Sequence, residues 1–282
     1  MIFDIDRSET VIEAVDTITA RWFNVRELYR KLKDNDETDS PRFWAIPNHL
    51  LEATANQLAQ PLDVFVHNWC NCCFANDLEI IGYHCTRAHN QQLFQEQGII
   101  PVNERNIEIF FSIVDLAFQP FIFSNEHKRE LFEIIKNNSS WKYRSGKTPG
   151  PYFFLSYKDA KSTNNYFHKY GTELWWPFVD IMLRYCQNKK DIAFPCSDRN
   201  KCREIIAGKL SPLIIHCAIP FSILPSHNYY IFCMLKAYFL FVDPEDDSDN
   251  LFEGYSIDLC GKTLDPKYIF KIEEINEAET SI

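Results

Sequence analysis

Near residue 77 the hydrophobic pattern changes from the period of a helix to the period of a strand. Between Val11 and Lys33 apolar side chains recur every three or four positions, which predicts an amphipathic helix. A charged loop over residues 34–41 precedes a second helix, expected between Pro47 and Gln60 and ended by Pro61. We therefore expect residues 1–77 to form a helical N-terminal region, and the rest of the chain to contain a sheet.

The segment over residues 78–86 alternates apolar and polar side chains, which predicts a strand that ends where the polar residues begin, at His84. Residues 88–97 then predict a short helix, and Gly98 suits a left-handed cap at its end. This strand, polar tip, helix and glycine form one compact unit.

Further elements follow at intervals along the chain. Residues 125–136 predict a helix with Ser124 or Asn125 as its N-cap. Residues 152–156 predict a strand that leads into another helix. The later apolar segments predict one strand after another; they cover residues 212–223, 229–242, 255–259 and 268–272. Helices mixed with strands early and successive strands late predict an α+β domain over residues 78–282 rather than a doubly wound sheet.

Charge is distributed unevenly along the 282 residues. The chain carries a formal net charge of −10, yet residues 78–242 hold 19 basic and 14 acidic side chains, a net charge of +5. An anionic ligand or a nucleic acid would be attracted to this middle segment, although a solvated basic face explains it equally well. The chain contains neither a Gly-x-Gly-x-x-Gly nor a complete Gly-x-x-x-x-Gly-Lys-Ser/Thr loop, since Gly146-Lys147-Thr148 has Trp141 where the first glycine would stand, so a dinucleotide would have to be held without a glycine-rich phosphate loop.

Among ten cysteines only Cys70 and Cys73 have Cys-x-x-Cys spacing, and no second such motif accompanies them, which indicates reduced, buried thiols rather than disulfides or a zinc site. The longest apolar stretches reach about a dozen residues, short of the roughly 20 that cross a bilayer. The N-terminus is acidic, unlike a secretion signal. We expect a cytoplasmic protein with no metal and no membrane partner.

An ordered set of short motifs resembles the ADP-ribosyltransferase fold of the His-Tyr-Glu class, in particular bacterial toxins and phage-defence ADP-ribosyltransferases. The motifs, in chain order, are Tyr83-His84-Cys85-Thr86-Arg87, Gly98-Ile99-Ile100-Pro101, Gly150-Pro151-Tyr152-Phe153, Ser162-Thr163-Asn164-Asn165-Tyr166 and Phe252-Glu253-Gly254-Tyr255-Ser256-Ile257, with Pro266-Lys267-Tyr268-Ile269 near the end. The resemblance covers roughly residues 78–275 and implies a split, mixed β-sheet core with helices. The helical region before residue 78 has no counterpart in that core.

The resemblance implies an NAD site that begins at His84. His84 would hydrogen-bond a hydroxyl of the nicotinamide-side ribose, and the backbone of Cys85 would hold the carboxamide, with Thr86 beside it. Arg87 could meet the pyrophosphate. A histidine suits the first role because it supplies a directional donor or acceptor without a charge.

The resemblance also implies an aromatic residue and a carboxylate. Tyr166 would stack on the nicotinamide ring and Tyr152 would wall the pocket, although Tyr157 and Tyr170 lie near enough in sequence to replace Tyr166. A carboxylate stabilises the oxocarbenium-like transition state in which the bond between nicotinamide and ribose breaks. Glu253 matches the family pattern for this role, and Glu173 is its rival.

The resemblance implies mono-ADP-ribosyl transfer from NAD to a macromolecule, with the toxin of a toxin-antitoxin or phage-defence system as the expected setting and an antitoxin as partner. The basic middle segment favours RNA or DNA slightly over protein as the acceptor. The stretch Trp141-Lys142-Tyr143-Arg144, followed by Lys147, points the same way because it interleaves aromatic and basic side chains. Two alternatives stay open: a catalytically idle nucleotide-binding or partner-binding module of the same fold, and an NAD glycohydrolase.

Overall fold

The computed structural model describes residues 1–146, 150–162, 175–243 and 255–275. Within these ranges the protein has a mixed α+β fold, as predicted, in which helices outnumber strands. The helices are α1 (Ser8–Thr19), α2 (Val25–Asp34), α3 (Pro41–Ala45), α4 (Pro47–Gln57), α5 (Leu62–Ala75), α6 (Gln92–Gln97), α7 (Arg105–Ala117), α8 (Asn125–Asn137), α9 (Ser139–Gly146), α10 (Tyr157–Lys161), α11 (Trp175–Asn188), α12 (Arg199–Ala207) and α13 (His227–Val242). The strands are β1 (Ile2–Phe3), β2 (Glu79–Ala88), β3 (Tyr152–Phe154), β4 (Ser211–Pro220), β5 (Ser256–Asp258) and β6 (Ile269–Glu274).

The six strands form one sheet in the order β5-β3-β2-β4-β6, and β1 pairs with β2 in parallel. Strands β2 and β3 are antiparallel, with Tyr83 opposite Phe154. Strands β4 and β6 are also antiparallel, and their register shifts between His216 and Cys217. Strand β2 therefore lies inside the sheet, where its successive side chains must point to opposite faces.

The chain divides into two compact units. The first comprises Met1–Gly82, Leu155–Tyr157 and Ala218–Ile257, and the second comprises Tyr83–Phe154, Lys158–Cys217 and Asp258–Ile282. Strands β2 and β4 contribute residues to both. This division differs from the predicted boundary after residue 77, because the N-terminal helices share the first unit with α13.

Helix α13 is the main departure from the predicted elements. Residues 229–242 were expected to continue a series of strands, but they lie in a helix whose side chains are buried around its whole circumference. A long apolar run without periodicity is compatible with a buried helix as well as with a strand, and 16 residues exceed the usual length of a strand. Helices α1, α4 and α5 pack against α13 and cover it.

The predicted helix over residues 11–33 is interrupted in the structure. Helix α1 ends at Thr19, and α2 begins after Asn24, whose side chain accepts a hydrogen bond from the backbone N–H of Glu27 at 3.1 Å. Asparagine favours this position because its side chain satisfies an N–H group that the helix leaves without an intrahelical partner. The predicted helices near residues 47–60 and 125–136 are confirmed as α4 and α8, and Ser124 caps α8.

Gly98 ends α6 as predicted, but not in the left-handed helical conformation. Its φ is 75° and its ψ is −160°, so the chain leaves the helix in an extended path toward Leu264. Ile99 and Leu264 then exchange both backbone hydrogen bonds, at 3.0 and 2.9 Å. A Cβ atom on Gly98 would lie 1.9 Å from the carbonyl oxygen of Leu264, so this close approach requires glycine.

The core of the second unit lies between helices. Helix α11 packs against α8 and α12, and α7 packs against the same two helices. Aromatic rings dominate this core: the ring centroids of Phe110 and Phe178 are 5.4 Å apart, and those of Trp141 and Phe178 are 5.7 Å apart. No helix within the described ranges is long and apolar enough to span a membrane.

Candidate functional site

The candidate site lies in the second unit, on strand β2. This strand continues to Ala88, so His84 lies within it and not at its end as predicted. The strand extends because the side chains after His84 are not all solvated: Cys85 and Arg87 are buried, whereas His84 and Thr86 are partly exposed. Alternation along the strand therefore places His84 and Thr86 on one face, and Cys85 and Arg87 on the other.

The imidazole of His84 is held by the neighbouring strand. Its Nδ1 lies 2.8 Å from the carbonyl oxygen of Tyr152, and its ring centroid lies 5.5 Å from that of Phe153. A carbonyl oxygen can only accept a hydrogen bond, so Nδ1 carries the proton and donates it. In the neutral ring, Nε2 is then an acceptor.

Burial lowers the pKa of His84 below its ordinary value, and the hydrogen bond to Tyr152 opposes this effect without cancelling it. The imidazole is therefore neutral at pH 7. A neutral ring whose Nδ1 proton is already committed can accept a hydrogen bond from a ligand hydroxyl at Nε2.

Tyr152 contributes its backbone to His84 rather than its ring. The pairing of Tyr83 with Phe154 places Phe153 opposite His84 and Tyr152 opposite Cys85. Directly opposed residues of an antiparallel pair share a face, so Phe153 is the aromatic residue beside the imidazole. The ring of Tyr152, 45% exposed, belongs to the other face.

Arg87 is committed to the end of a helix. One guanidinium nitrogen donates to the carbonyl oxygens of Ala207 at 2.7 Å and Leu210 at 3.0 Å, where α12 ends. The side chain is only 8% exposed, and burial lowers its pKa. These contacts satisfy carbonyl groups that a helix end leaves without intrahelical donors.

Cys85 lies on the same buried face as Arg87. Its thiol donates to the carbonyl oxygen of Ala160, in α10, at 3.4 Å. The tetrapeptide His84-Cys85-Thr86-Arg87 is thus divided between two faces of the sheet, and only His84 and Thr86, both partly exposed, share a face.

Several predicted site residues lie outside the described residues. They are Tyr166, Tyr170, Glu173, Glu253 and Lys147. The choice between Glu253 and Glu173 as the carboxylate, and the choice of the stacking tyrosine, therefore stay predictions. Tyr157, the remaining alternative, begins helix α10.

The aromatic and basic stretch after residue 140 differs from a surface for stacking bases. Trp141 is 3% exposed and forms part of the core of the second unit, whereas Tyr143 is 69% exposed. A tryptophan buried in this way cannot stack on a nucleotide base. The prediction of base stacking is therefore wrong for Trp141.

Two residues near His84 were not predicted. Phe153 contacts the imidazole, and Asp258 holds the backbone that precedes Tyr152 by accepting from the N–H of Gly150 at 2.6 Å. A sequence signal for Asp258 existed, because an aspartate shortly before a glycine is typical of a turn in which the carboxylate accepts a backbone N–H.

Eight of the ten cysteines are buried, in agreement with their interpretation as small core residues. Among the described residues, no group of three or more His, Cys, Asp and Glu side chains is placed to hold a metal ion. No protein-family model, curated protein or solved structure matches this chain.

Proposed function

We propose that this protein is an NAD-dependent mono-ADP-ribosyltransferase that uses His84 to hold the nicotinamide-side ribose. The observation that carries the proposal is the state of the imidazole. Its Nδ1 is committed to the carbonyl of Tyr152 at 2.8 Å, and desolvation lowers the pKa of the ring, which favours the neutral form. Nε2 is left as a directional acceptor for one hydroxyl, which is the role that the motif resemblance implies for this residue.

In the proposed reaction His84 orients the substrate and takes part in no bond change. The bond between C1 of the ribose and the nicotinamide nitrogen breaks, and nicotinamide leaves with the bonding electron pair. A nucleophilic atom of the acceptor forms the new bond to C1, and its proton passes to solvent. An acceptor at Nε2 would orient the ribose while positive charge develops on its ring, and a carboxylate, proposed to be Glu253, would stabilise that charge.

The observed faces of β2 refine the proposed site. Thr86 shares the face of His84 and remains a proposed site residue. Arg87 lies on the opposite face of the strand, where its contacts are structural. Phe153 replaces the ring of Tyr152 as the aromatic neighbour of the imidazole. Tyr166 remains the proposed partner of the nicotinamide ring.

We propose a macromolecular acceptor, with RNA or DNA ahead of protein. The support is the net charge of +5 on residues 78–242, because a basic region attracts phosphates. Trp141 no longer adds to this support, since it is buried. A toxin within a toxin-antitoxin or phage-defence system is the proposed setting, with an antitoxin as the partner.

The test incubates the full chain with NAD labelled in the adenylate, together with total RNA, DNA and protein. Label in nucleic acid supports the proposal, and label in protein changes the acceptor. Free ADP-ribose alone would indicate an NAD glycohydrolase, and no turnover would indicate an idle binding module. His84→Ala and Glu253→Gln should each abolish turnover, whereas Glu96→Gln, which changes an exposed glutamate on α6, should not.

The proposal that the protein is a toxin has a separate test. Expression of the wild-type chain in a bacterial host should arrest growth, and His84→Ala should restore it. Normal growth with the wild-type chain, at a level of soluble protein equal to that of the variant, would contradict the toxin proposal without touching the enzymatic one.

A further inference from the structure

The hydrogen bond from His84 to the carbonyl group of Tyr152 fixes which ring nitrogen carries the proton. Nδ1 donates to the oxygen of Tyr152, so Nε2 of the neutral ring is the acceptor. Without such an acceptor, an imidazole can exchange its proton between Nδ1 and Nε2. The position of the Tyr152 carbonyl therefore decides whether Nε2 is available as an acceptor.

The backbone that leads to Tyr152 is held from the segment after β5. The N–H of Leu259 donates to the carbonyl of Pro151 at 3.2 Å, and the N–H of Gly261 donates to the carbonyl of Gly150 at 2.8 Å. Both partners lie in the second unit, as does His84.

One carboxylate oxygen of Asp258 joins these two segments. Its Oδ1 accepts from the N–H of Gly150 at 2.6 Å and from the N–H of Cys260 at 2.7 Å. The second bond closes the turn that brings Gly261 to Gly150, and the first anchors Gly150 directly. Gly150 has a φ of 94°, a conformation that other residues rarely adopt, so its path needs such an anchor.

We propose that Asp258 is a positioning residue for His84: by anchoring Gly150 and its own turn, it fixes the carbonyl of Tyr152 and so keeps His84 protonated at Nδ1 with Nε2 as acceptor. Asp258 touches neither His84 nor, in this proposal, NAD. The importance of this role for catalysis rests on the proposed function, but the effect on the imidazole does not.

The test reads the imidazole directly by nitrogen NMR of the full chain labelled at histidine. Wild-type His84 should be protonated at Nδ1 at neutral pH. Asp258→Ala should give a mixture of the two neutral forms and move the pKa of His84. Asp258→Asn should restore the wild-type state, because an amide oxygen accepts the same two N–H groups.

A matched control is Asp265→Ala. Asp265 also caps its own turn, by accepting from the N–H of Lys267 at 2.9 Å, but its side chain makes no contact with Gly150. This variant should leave the signal of His84 unchanged. A change of the same size in Asp265→Ala would show general loosening and would overturn the proposal.

The kinetic readout follows if NAD turnover is found. Weakening the hydrogen bond between Nε2 of His84 and the ribose hydroxyl by the value of one hydrogen bond corresponds to about a tenfold decrease in kcat/KM. We expect that decrease in Asp258→Ala and a change below about threefold in Asp258→Asn. Wild-type His84 protonated at Nε2, or an Asp258→Ala variant that keeps the Nδ1 proton, would overturn the proposal even if turnover is lost. If Asp258→Ala does not fold, Asp258→Ser takes its place, because its shorter side chain carries no carboxylate to join the two N–H groups, and the same outcomes decide the matter.

Discussion

Replacing Arg87 by methionine tests whether this side chain stabilises the fold or binds NAD. In the structure the guanidinium makes two charge-assisted hydrogen bonds to carbonyls at the end of α12, and each such bond contributes about 1.5–3 kcal/mol. Burying the guanidinium has a desolvation cost that offsets part of this gain, and methionine retains most of the apolar packing. We therefore expect the free energy of unfolding to fall by about 3 kcal/mol.

The assay is thermal and urea denaturation of the full chain, compared with Arg184→Met, which removes an exposed arginine from α11 of the same unit. A loss of about 3 kcal/mol corresponds to a decrease in Tm of roughly 6–12 °C. Arg184→Met should change Tm by less than about 2 °C, since an exposed substitution usually costs below about 0.5 kcal/mol. Well below its Tm, Arg87→Met should bind NAD within about twofold of the wild type.

The opposite pattern would refute this reasoning. Unchanged stability together with a tenfold or greater loss of NAD affinity would mean that Arg87 binds the pyrophosphate. The side chain would then have to leave the carbonyls of Ala207 and Leu210 when NAD binds.

Three other outcomes are expected. Because burial lowers the pKa of His84, the neutral ring stabilises the fold above the unfolded-state pKa of 6.5, and this contribution is lost as pH falls through the lower folded-state pKa. The neutral ring is also the form that accepts the ribose hydroxyl, so kcat/KM should stay level down to about pH 6.5. A decline in kcat/KM that begins above pH 7 would contradict the assignment. Gly98→Ala should lower the free energy of unfolding by at least about 2 kcal/mol in urea titrations, because its Cβ would lie 1.9 Å from the oxygen of Leu264, and an unchanged urea midpoint would disprove this close contact. Trp141→Ala should cost about 3–5 kcal/mol of stability as a core truncation, whereas Tyr143→Ala should cost less than about 0.5 kcal/mol in the same titration; equal effects would mean that Trp141 is not in the core.

The sequence predicts the local elements better than their arrangement. Helices with clear local signals, such as the proline at the start of α4 and the Ser124 cap of α8, were predicted close to their observed bounds. The apolar run in α13 carries no periodicity, since helices pack around all of it, and only its length argues against a strand. Its association with the N-terminal helices depends on contacts between residues more than 200 positions apart, such as the 2.6 Å hydrogen bond from Tyr238 to Asp16.

The same limit applies to the site. A motif of four consecutive residues suggests that all four meet the ligand, but a strand places neighbours on opposite faces. Placing His84 apart from Arg87 required the observed length of β2 and the burial of each side chain. The role of Phe153 required the register with β3, which the sequence does not specify.

The proposed site requires that Nε2 of His84 accepts a hydrogen bond from a hydroxyl of NAD. The most direct measurement is a titration of the histidine-labelled Glu253→Gln variant with NAD, followed by nitrogen NMR. We predict a saturable change at Nε2 of His84 with little change at Nδ1, and no change at His216, whose Nε2 is 3.0 Å from Glu273. A His84 signal that NAD leaves unaltered, in a variant that retains the wild-type fold, would contradict the account.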